Sequence, residues 1–276
     1  IVILPYILKA GVDVALSNPT DLVNALGIPL NVQLIIALIP FAVGLITIAL
    51  LVRGMHKRTF SETVNGRAKI RWNRVFTGFA VWFLLMLVFL AISYIVDPAN
   101  LRIQFDARQF IPLLVIALLL IPFQTTFEEY VFRGYLAQGI AAWTKNRWAV
   151  ILIPGILFGL MHYSNPEVKE FGFWLSMPQY IMWGIIFGLI AVLDDGIELP
   201  IGIHAANNIF ACLFVTHKAS ALQTPAIFEQ LKVDPLSDML GLLIAGALTV
   251  FIFSRKYKWD FRILNRKMEQ AEEMES

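Results

Sequence analysis

The stretch "TTFEEYVFRGYL", residues 125–136, places two glutamates and an arginine within ten residues of the end of the apolar run "IPLLVIALLLIPF", residues 111–123. The preceding run is apolar enough to lie in lipid, where an ionised side chain is expensive. Such a residue in a membrane segment is a functional candidate by default. This stretch therefore indicates both a membrane helix and the first place to look for a site.

The composition is that of a membrane protein. The chain has 276 residues, of which 58% are hydrophobic and 15% charged, and its mean hydropathy is +0.70. A soluble domain has an apolar fraction nearer half and a charged fraction nearer a quarter. The net charge of +2 gives no support for nucleic-acid binding, so we expect a lipid bilayer, and no nucleic acid, among the partners.

Seven apolar stretches are candidate membrane spans, since a spanning helix needs about 20 mostly apolar residues. They are residues 29–52, 75–96, 109–126, 148–162, 173–193, 199–216 and 236–254. We expect residues 127–143 to continue the third span, with a kink at Pro122. The predicted fold class is all-α, a polytopic transmembrane bundle of about seven to eight membrane helices.

The basic residues predict the orientation of the chain. The loop 53–74 and the tail from residue 255 contain 13 of the 22 Lys and Arg residues. Short loops rich in Lys and Arg face the cytoplasm. We therefore expect both segments to be cytoplasmic in a multi-pass membrane protein, which agrees with the six candidate spans between them.

The two glutamates differ in helical position. Glu129 and Arg133 are four residues apart, so they share one helix face and can pair. Glu128 is rotated by about 100°, lines up with Phe132, and finds no partner nearby. We predict that Glu129 and Arg133 support the structure, and that a partner for Glu128 comes from another helix.

His162 is such a partner. Glu128 and His162 are almost equally far in sequence from the polar turn "TKNR", residues 144–147, so an antiparallel hairpin places them at nearly the same depth. A Glu beside a His in a low-dielectric pocket can activate water as a general base. Phe158, one helical turn before His162, can shield the pair.

The third polar group is "HAANN", residues 204–208. His204 and Asn208 lie on one helical face, with Asn207 nearby. An imidazole N–H and an amide aimed together can stabilise the oxyanion of a tetrahedral intermediate. Neutral donors suit this task, because a buried imidazolium is costly.

Less specific interpretations also fit these residues. A single intramembrane His or Asn often serves as a hydrogen bond between helices, and such a set can form a proton or ion pathway. His and carboxylate ligands suit zinc, but the sequence lacks HExxH. His56 and His217 fall in expected loops and receive no role, and Cys212 is expected to be a buried structural thiol.

Three motifs together resemble a known family. "EEYVFR" fits EExxxR, "FGLMH" fits FxxxH and "HAANN" fits HxxxN, in that order. The chain resembles the CPBP family, the Abi or type II CAAX prenyl endopeptidase-like intramembrane proteases, over roughly residues 109–216. This resemblance implies three segments: N-terminal membrane helices with a basic loop (1–108), the catalytic core helices (109–216), and a last membrane helix with a charged tail (217–276).

The resemblance also implies an activity and its residues. The expected activity is hydrolysis of a peptide bond near a membrane-embedded or lipid-anchored segment, with a membrane-anchored or prenylated protein as substrate. Glu128 and His162 would activate water, and His204 and Asn208 would stabilise the oxyanion. The family was long labelled as metalloproteases, but its better-understood members resemble glutamate-dependent peptidases. No cofactor is therefore expected to be required, and zinc is chemically compatible but not favoured.

Two questions remain open at this point. If residues 173–193 cross the membrane fully, His162 and His204 adjoin opposite ends of that span and meet only if a segment is tilted or re-entrant. The alternative functions are a non-proteolytic membrane scaffold or immunity factor of the same fold and, less favoured, a proton-coupled transporter.

Overall fold

Apolar α-helices account for most of the chain. The computed structural model describes residues 27–266 and residue 268. In this part of the chain the α-helices are α1 (Leu30–His56), α2 (Phe60–Asn65), α3 (Trp72–Val96), α4 (Ala107–Glu129), α5 (Ala137–Thr144), α6 (Arg147–Leu160), α7 (Pro166–Phe171), α8 (Phe173–Asp194), α9 (Glu198–Leu213) and α10 (Pro235–Tyr257). Short 3₁₀ helices occupy Pro98–Asn100 and Phe261–Asn265.

The helices lie where hydropathy predicts membrane spans. Among the described residues, five helices are long and apolar enough to cross a membrane: α1, α3, the continuous helix Ala107–Thr144, α8 and α10. The apolar helix α6 is shorter, with 14 residues, and α9 has 16. These seven helices confirm the predicted all-α polytopic bundle. The division into three segments stays a prediction, and parts of the first and last segments lie outside the described residues.

The third span continues through residues 125–136, which carry Glu128, Glu129 and Arg133. Pro112 and Pro122 both lie inside α4. A π-helical segment, Tyr130–Leu136, joins α4 to α5. Such wider turns occur frequently at functional sites. The segment carries the Arg133 side chain into the bundle, where the residue is only 5% exposed.

A small β-sheet closes one end of the bundle. Strand β1 (Leu101–Ile103) pairs antiparallel with β3 (Phe228–Gln230), and β3 pairs in parallel with β2 (Val215–Thr216). The sequence predicts no strand here, because segments of two or three residues are too short for an alternating pattern to appear.

The two ends of the bundle differ in their chain segments. We call one end the sheet face; it consists of segments 97–108, 163–172 and 214–235. There the Glu167 carboxylate accepts a hydrogen bond of 2.7 Å from the backbone N–H of Ala221. We call the other end the basic face; it consists of segments 53–74, 145–147, 194–198 and 255–266.

Ion pairs and hydrogen bonds hold the basic face together. The Arg71 guanidinium pairs with the buried Glu198 carboxylate at 2.6 Å, which joins the loop 53–74 to the start of α9. Arg147 donates a hydrogen bond of 2.7 Å to the backbone carbonyl of Arg266. The predicted cytoplasmic loop and the described part of the tail therefore share one end of the bundle.

Glycines let the helices that carry the site approach closely. A Cβ added to Gly184 of α8 would lie 2.2 Å from the Gly155 carbonyl oxygen of α6, and one added to Gly202 of α9 would lie 2.0 Å from the Val75 carbonyl oxygen of α3. Small residues commonly permit such backbone contact between membrane helices. These two contacts fix α6 and α9 relative to their neighbours.

Candidate active site

The four residues predicted to be catalytic line one cavity. Glu128 of α4, His162 after α6, and His204 and Asn208 of α9 all contribute to its wall, and its volume is about 500 Å³. Residues from three separate helical regions thus converge, as the family resemblance implied. Their catalytic roles stay predictions at this point.

Glu129 follows Glu128 in the chain but does not line this cavity, and it is buried together with Arg133. Its Oε1 accepts a hydrogen bond of 3.0 Å from Nη1 of Arg133, the pair expected from the four-residue spacing. The same oxygen accepts a hydrogen bond of 2.9 Å from Nδ1 of His204. Glu129 is 0% exposed. The ion pair therefore also holds an imidazole on α9, a link that the sequence analysis did not predict.

Glu128 has a partner on its own helix, so the expectation of no local partner was wrong. Gln124, one turn earlier on the same face, donates from Nε2 to Oε1 of Glu128 at 2.7 Å. Oε2 of Glu128 lies 3.6 Å from Nε2 of His204 and makes no hydrogen bond. A buried carboxylate oxygen without a donor is costly, so this oxygen is a ready acceptor for a water molecule.

A chain of hydrogen bonds leads to Glu128 from the bundle interior. Trp82 Nε1 donates to Oδ1 of Asn207 at 3.3 Å, and Nδ2 of Asn207 donates to Oδ1 of Asn208 at 3.1 Å. Nδ2 of Asn208 then donates to Oε1 of Gln124 at 3.0 Å. The Asn208 amide has two N–H groups and uses one of them in this chain of hydrogen bonds, so the second N–H is left for another acceptor.

Asn207 and Asn208 both lie in this chain, and their functional roles stay predictions. Asn208 lines the cavity beside Glu128, and Asn207 anchors it from behind. The sequence analysis did not identify Trp82 or Gln124. Gln124 had a detectable signal, a polar residue four positions before Glu128 on an apolar helix; Trp82 had none.

His162 lies in the turn that follows α6. Its Nδ1 bonds the Phe158 carbonyl oxygen at 2.8 Å, and its ring stacks on Tyr180 at a centroid distance of 4.5 Å. Since a carbonyl only accepts, Nδ1 carries the proton, and Nε2 of a neutral ring is free to accept one.

No ion-pair contact joins Glu128 to His162, and the imidazole in ion-pair contact with Glu128 is that of His204. Both side chains nevertheless line the same cavity. The hairpin distances therefore predicted the correct cavity but not the closest pair. The reason is that His162 lies past the end of α6, in a turn where the helical rise no longer applies.

His162 and His204 contact helix α8 at two different heights along its axis. His162 packs on Tyr180, and His204 packs on Phe187 at a centroid distance of 5.1 Å. These two α8 residues are seven positions apart, about 10 Å along the helix axis. A full crossing by α8 is thus compatible with both histidines lining one cavity, and no re-entrant segment is needed.

Phe158 fills the space between these groups. Its ring centroid lies 4.8 Å from that of His162 and 6.0 Å from that of His204. The Arg133 guanidinium lies 4.3 Å from the same ring, within cation–π distance. Phe158 therefore covers the buried arginine as well as the two imidazoles, in line with the shielding expected of it.

The hydrogen bond of His204 to Glu129 changes the expected donor chemistry. A carboxylate accepts at this site, so Nδ1 of His204 carries a proton. In a neutral ring, Nε2 then has a lone pair and cannot donate to an oxyanion. Nε2 can donate only in the imidazolium form, in which both ring nitrogens carry a proton.

Among the described residues, no group of three or more His, Cys, Asp and Glu side chains is arranged to hold a metal ion. His56 bonds the Tyr135 hydroxyl at 3.0 Å on the basic face. His217, given no role from sequence, lines the cavity near the sheet face, and burial lowers its pKa. Cys212 is a buried free thiol.

The fold and site define a polytopic helical membrane protein with a buried Glu, His and Asn cluster. The model of the Rce1-like family, type II CAAX prenyl endopeptidase Rce1-like, matches residues 108–210. The uncharacterized protein YyaK of Bacillus subtilis (strain 168) is 36% identical over 204 residues, which cover 71% of this chain and 68% of YyaK. The chain therefore belongs to the Rce1-like family of type II CAAX prenyl endopeptidases. No solved structure matches the chain.

Proposed function

We propose that this protein is an intramembrane endopeptidase, which hydrolyses a peptide bond close to a membrane-embedded or lipid-anchored segment of its substrate. The observation that carries this proposal is the free oxygen of Glu128. Oε2 is buried, has no hydrogen-bond donor, and belongs to a residue that lines a cavity with His162, His204 and Asn208. Family membership supports a peptidase over other uses of the same groups.

Glu128 acts as the general base. A water molecule in the cavity donates one hydrogen bond to Oε2 of Glu128 and the other to Nε2 of His162. As its oxygen attacks the carbonyl carbon of the substrate, one proton passes to Glu128. A positioned general base typically contributes a factor of about 10² to 10⁴ in rate.

Asn208 and His204 stabilise the oxyanion that forms in this step. The second N–H of the Asn208 amide and Nε2–H of a protonated His204 donate to it. Oriented donors in a site that excludes water are worth more than in solution. The intermediate then collapses: the C–N bond breaks, Glu128 returns its proton to the leaving amine, and a carboxylic acid and an amine leave the site.

Glu129 and Arg133 support this arrangement without touching the substrate. They hold Nδ1 of His204, and Phe158 covers the guanidinium. No step of this scheme requires a metal ion or another cofactor. We therefore propose a cofactor-independent peptidase, with a divalent metal such as zinc less favoured.

Proteomics of membrane fractions tests the activity. Cells that express the wild-type chain should contain new peptide termini near membrane segments, and cells with Glu128→Gln should lack them. Glu170→Gln, which changes an exposed glutamate on the sheet face, is the matched control and should leave the fragments in place. Measured expression levels must be equal across the three strains.

The alternative is a non-proteolytic scaffold or immunity factor. In that case Glu128→Gln would leave both the fragment pattern and the cellular function unchanged at equal expression. Identical termini in wild-type and Glu128→Gln cells would therefore contradict the proposed peptidase.

A further inference from the structure

The cavity of the candidate site extends toward the sheet face. Besides the four predicted catalytic residues, its lining includes Asn165 and Glu167 near the start of α7, and Ser220 and Ala221 from the loop after β2. Ala221 is exposed. The wall thus runs from Glu128 in the bundle interior to an exposed residue of the sheet face.

The opposite end is closed to this cavity. No described residue of the basic face contributes to its lining. Between the cavity and the basic face lie Glu129 and Arg133, with side chains 0% and 1% exposed, and the fully buried Tyr130. A second cavity, on the basic face, reaches Arg133 from the other side and shares no lining residue with the first. The ion pair therefore separates the two cavities.

Charge distinguishes the two faces independently of the cavities. The described segments of the basic face contain fourteen Lys and Arg residues, and those of the sheet face contain five. The sheet-face segments also contain six Asp and Glu residues, so their net charge is −1, from five minus six. Because Lys and Arg accumulate on the cytoplasmic side, the sheet face is the non-cytoplasmic one.

We infer that the candidate active site is reached from the non-cytoplasmic side of the membrane, through an opening bordered by Ala221. The substrate class follows, and this part rests on the proposed peptidase function. It is a membrane-anchored polypeptide whose scissile segment is exposed at the non-cytoplasmic surface. A prenylated chain end in the cytoplasm lies on the wrong side to enter this opening.

Thiol labelling tests the route without any need for proteolysis. The single native cysteine is removed by Cys212→Ala, and three matched variants are made in that background: Ala221→Cys at the opening, Ala211→Cys in the cavity wall, and Ala68→Cys on the basic face. All three alanines are exposed. Right-side-out membrane vesicles are treated with a maleimide that cannot cross the membrane, then a second sample is treated after permeabilisation.

We expect Ala221→Cys and Ala211→Cys to react fully in sealed vesicles, and Ala68→Cys to gain most of its labelling only after permeabilisation. N-ethylmaleimide, which crosses membranes, should label all three in both preparations. Labelling of Ala211→Cys only after permeabilisation, or no labelling of it by either reagent, would overturn the inferred route. Labelling of Ala68→Cys in sealed vesicles would overturn the orientation.

The labelling result and the peptidase proposal can fail separately. If Ala211→Cys reacts from outside but wild-type cells produce no Glu128-dependent termini, the route stands and the peptidase does not. If the termini do appear, their location decides the substrate class: cleavage sites on the non-cytoplasmic side of the substrates support it, and cytoplasmic sites contradict it.

Discussion

Glu128 and Glu129 are adjacent in sequence and have different surroundings. Glu129 is fully buried and is held by Arg133 and His204. Glu128 faces the cavity, its side chain is 12% exposed, and one of its oxygens has no donor. Adjacent residues of a helix are rotated by about 100° relative to each other. This rotation points Glu129 toward Arg133 and His204, and it points Glu128 toward the cavity.

The sequence predicted the local contact of Glu129 with Arg133 and missed the contact of Glu129 that crosses the bundle. The Glu129–Arg133 pair follows from a four-residue spacing. The bond from His204 to Glu129 spans 75 positions and depends on how α9 packs against α4. No pattern in either segment predicts that these two side chains come together, because their distance in space is set by the packing of other helices.

Gln124 is the residue whose importance appears only in the structure. It accepts from Asn208 and donates to Glu128, so it joins the proposed oxyanion donor to the proposed base. An apolar run precedes it in the sequence, and a lone glutamine at the end of such a run equally suits a bond between helices.

Gln124→Ala should lower the rate of substrate cleavage about 10- to 100-fold, because small misplacements of reacting groups can cost that much. The variant leaves Glu128 and Asn208 free to turn away from each other. Gln109→Ala, at the exposed start of the same helix, is the control. The measurement is the cleavage rate at matched protein concentration; wild-type activity of Gln124→Ala would show that the bridge has no positioning role.

At the scale of elements, two tight helix contacts and one π-helical segment position the site. Gly184 of α8 lies against Gly155 of α6, which sets the position of Phe158 and His162 farther along the chain. The segment Tyr130–Leu136 brings Arg133 to the interior, where its guanidinium also donates to the Gly184 carbonyl at 3.1 Å. Hydropathy predicted where these helices lie in the sequence, but it carries no information on how closely two helices pack.

Gly184→Ala should lower the thermal unfolding midpoint, because its Cβ would lie 2.2 Å from a backbone oxygen that cannot move aside. Overpacking of this kind typically costs about 1–3 kcal/mol. Gly241→Ala in α10 meets nothing within 4 Å, so it should be neutral or stabilising, by up to about 1 kcal/mol. Thermal unfolding in detergent compares the two; equal midpoints would mean that the α6–α8 contact is not tight.

At the scale of the whole molecule, composition and hydropathy predicted the fold class and the positions of the seven bundle helices. The requirement that backbone groups in lipid be bonded within their own helix makes this prediction strong. The three-stranded sheet could not be predicted, since its strands hold two or three residues each and β1 pairs with β3 across more than a hundred positions. Loop charge predicted that the loop 53–74 and the tail share one side, and their contacts place them at one end of the bundle.

The central claim is that Glu128 performs the chemistry while Glu129 maintains the fold. The most direct test compares Glu128→Gln with Glu129→Gln in liposomes that contain a substrate found by the proteomics, with thermal unfolding measured on the same preparations. Glu128→Gln should reduce cleavage at least about 100-fold and leave the unfolding midpoint near that of the wild type. Glu129→Gln should lower the midpoint, because losing one partner of a buried ion pair costs about 3–5 kcal/mol. Full cleavage by Glu128→Gln would contradict the claim.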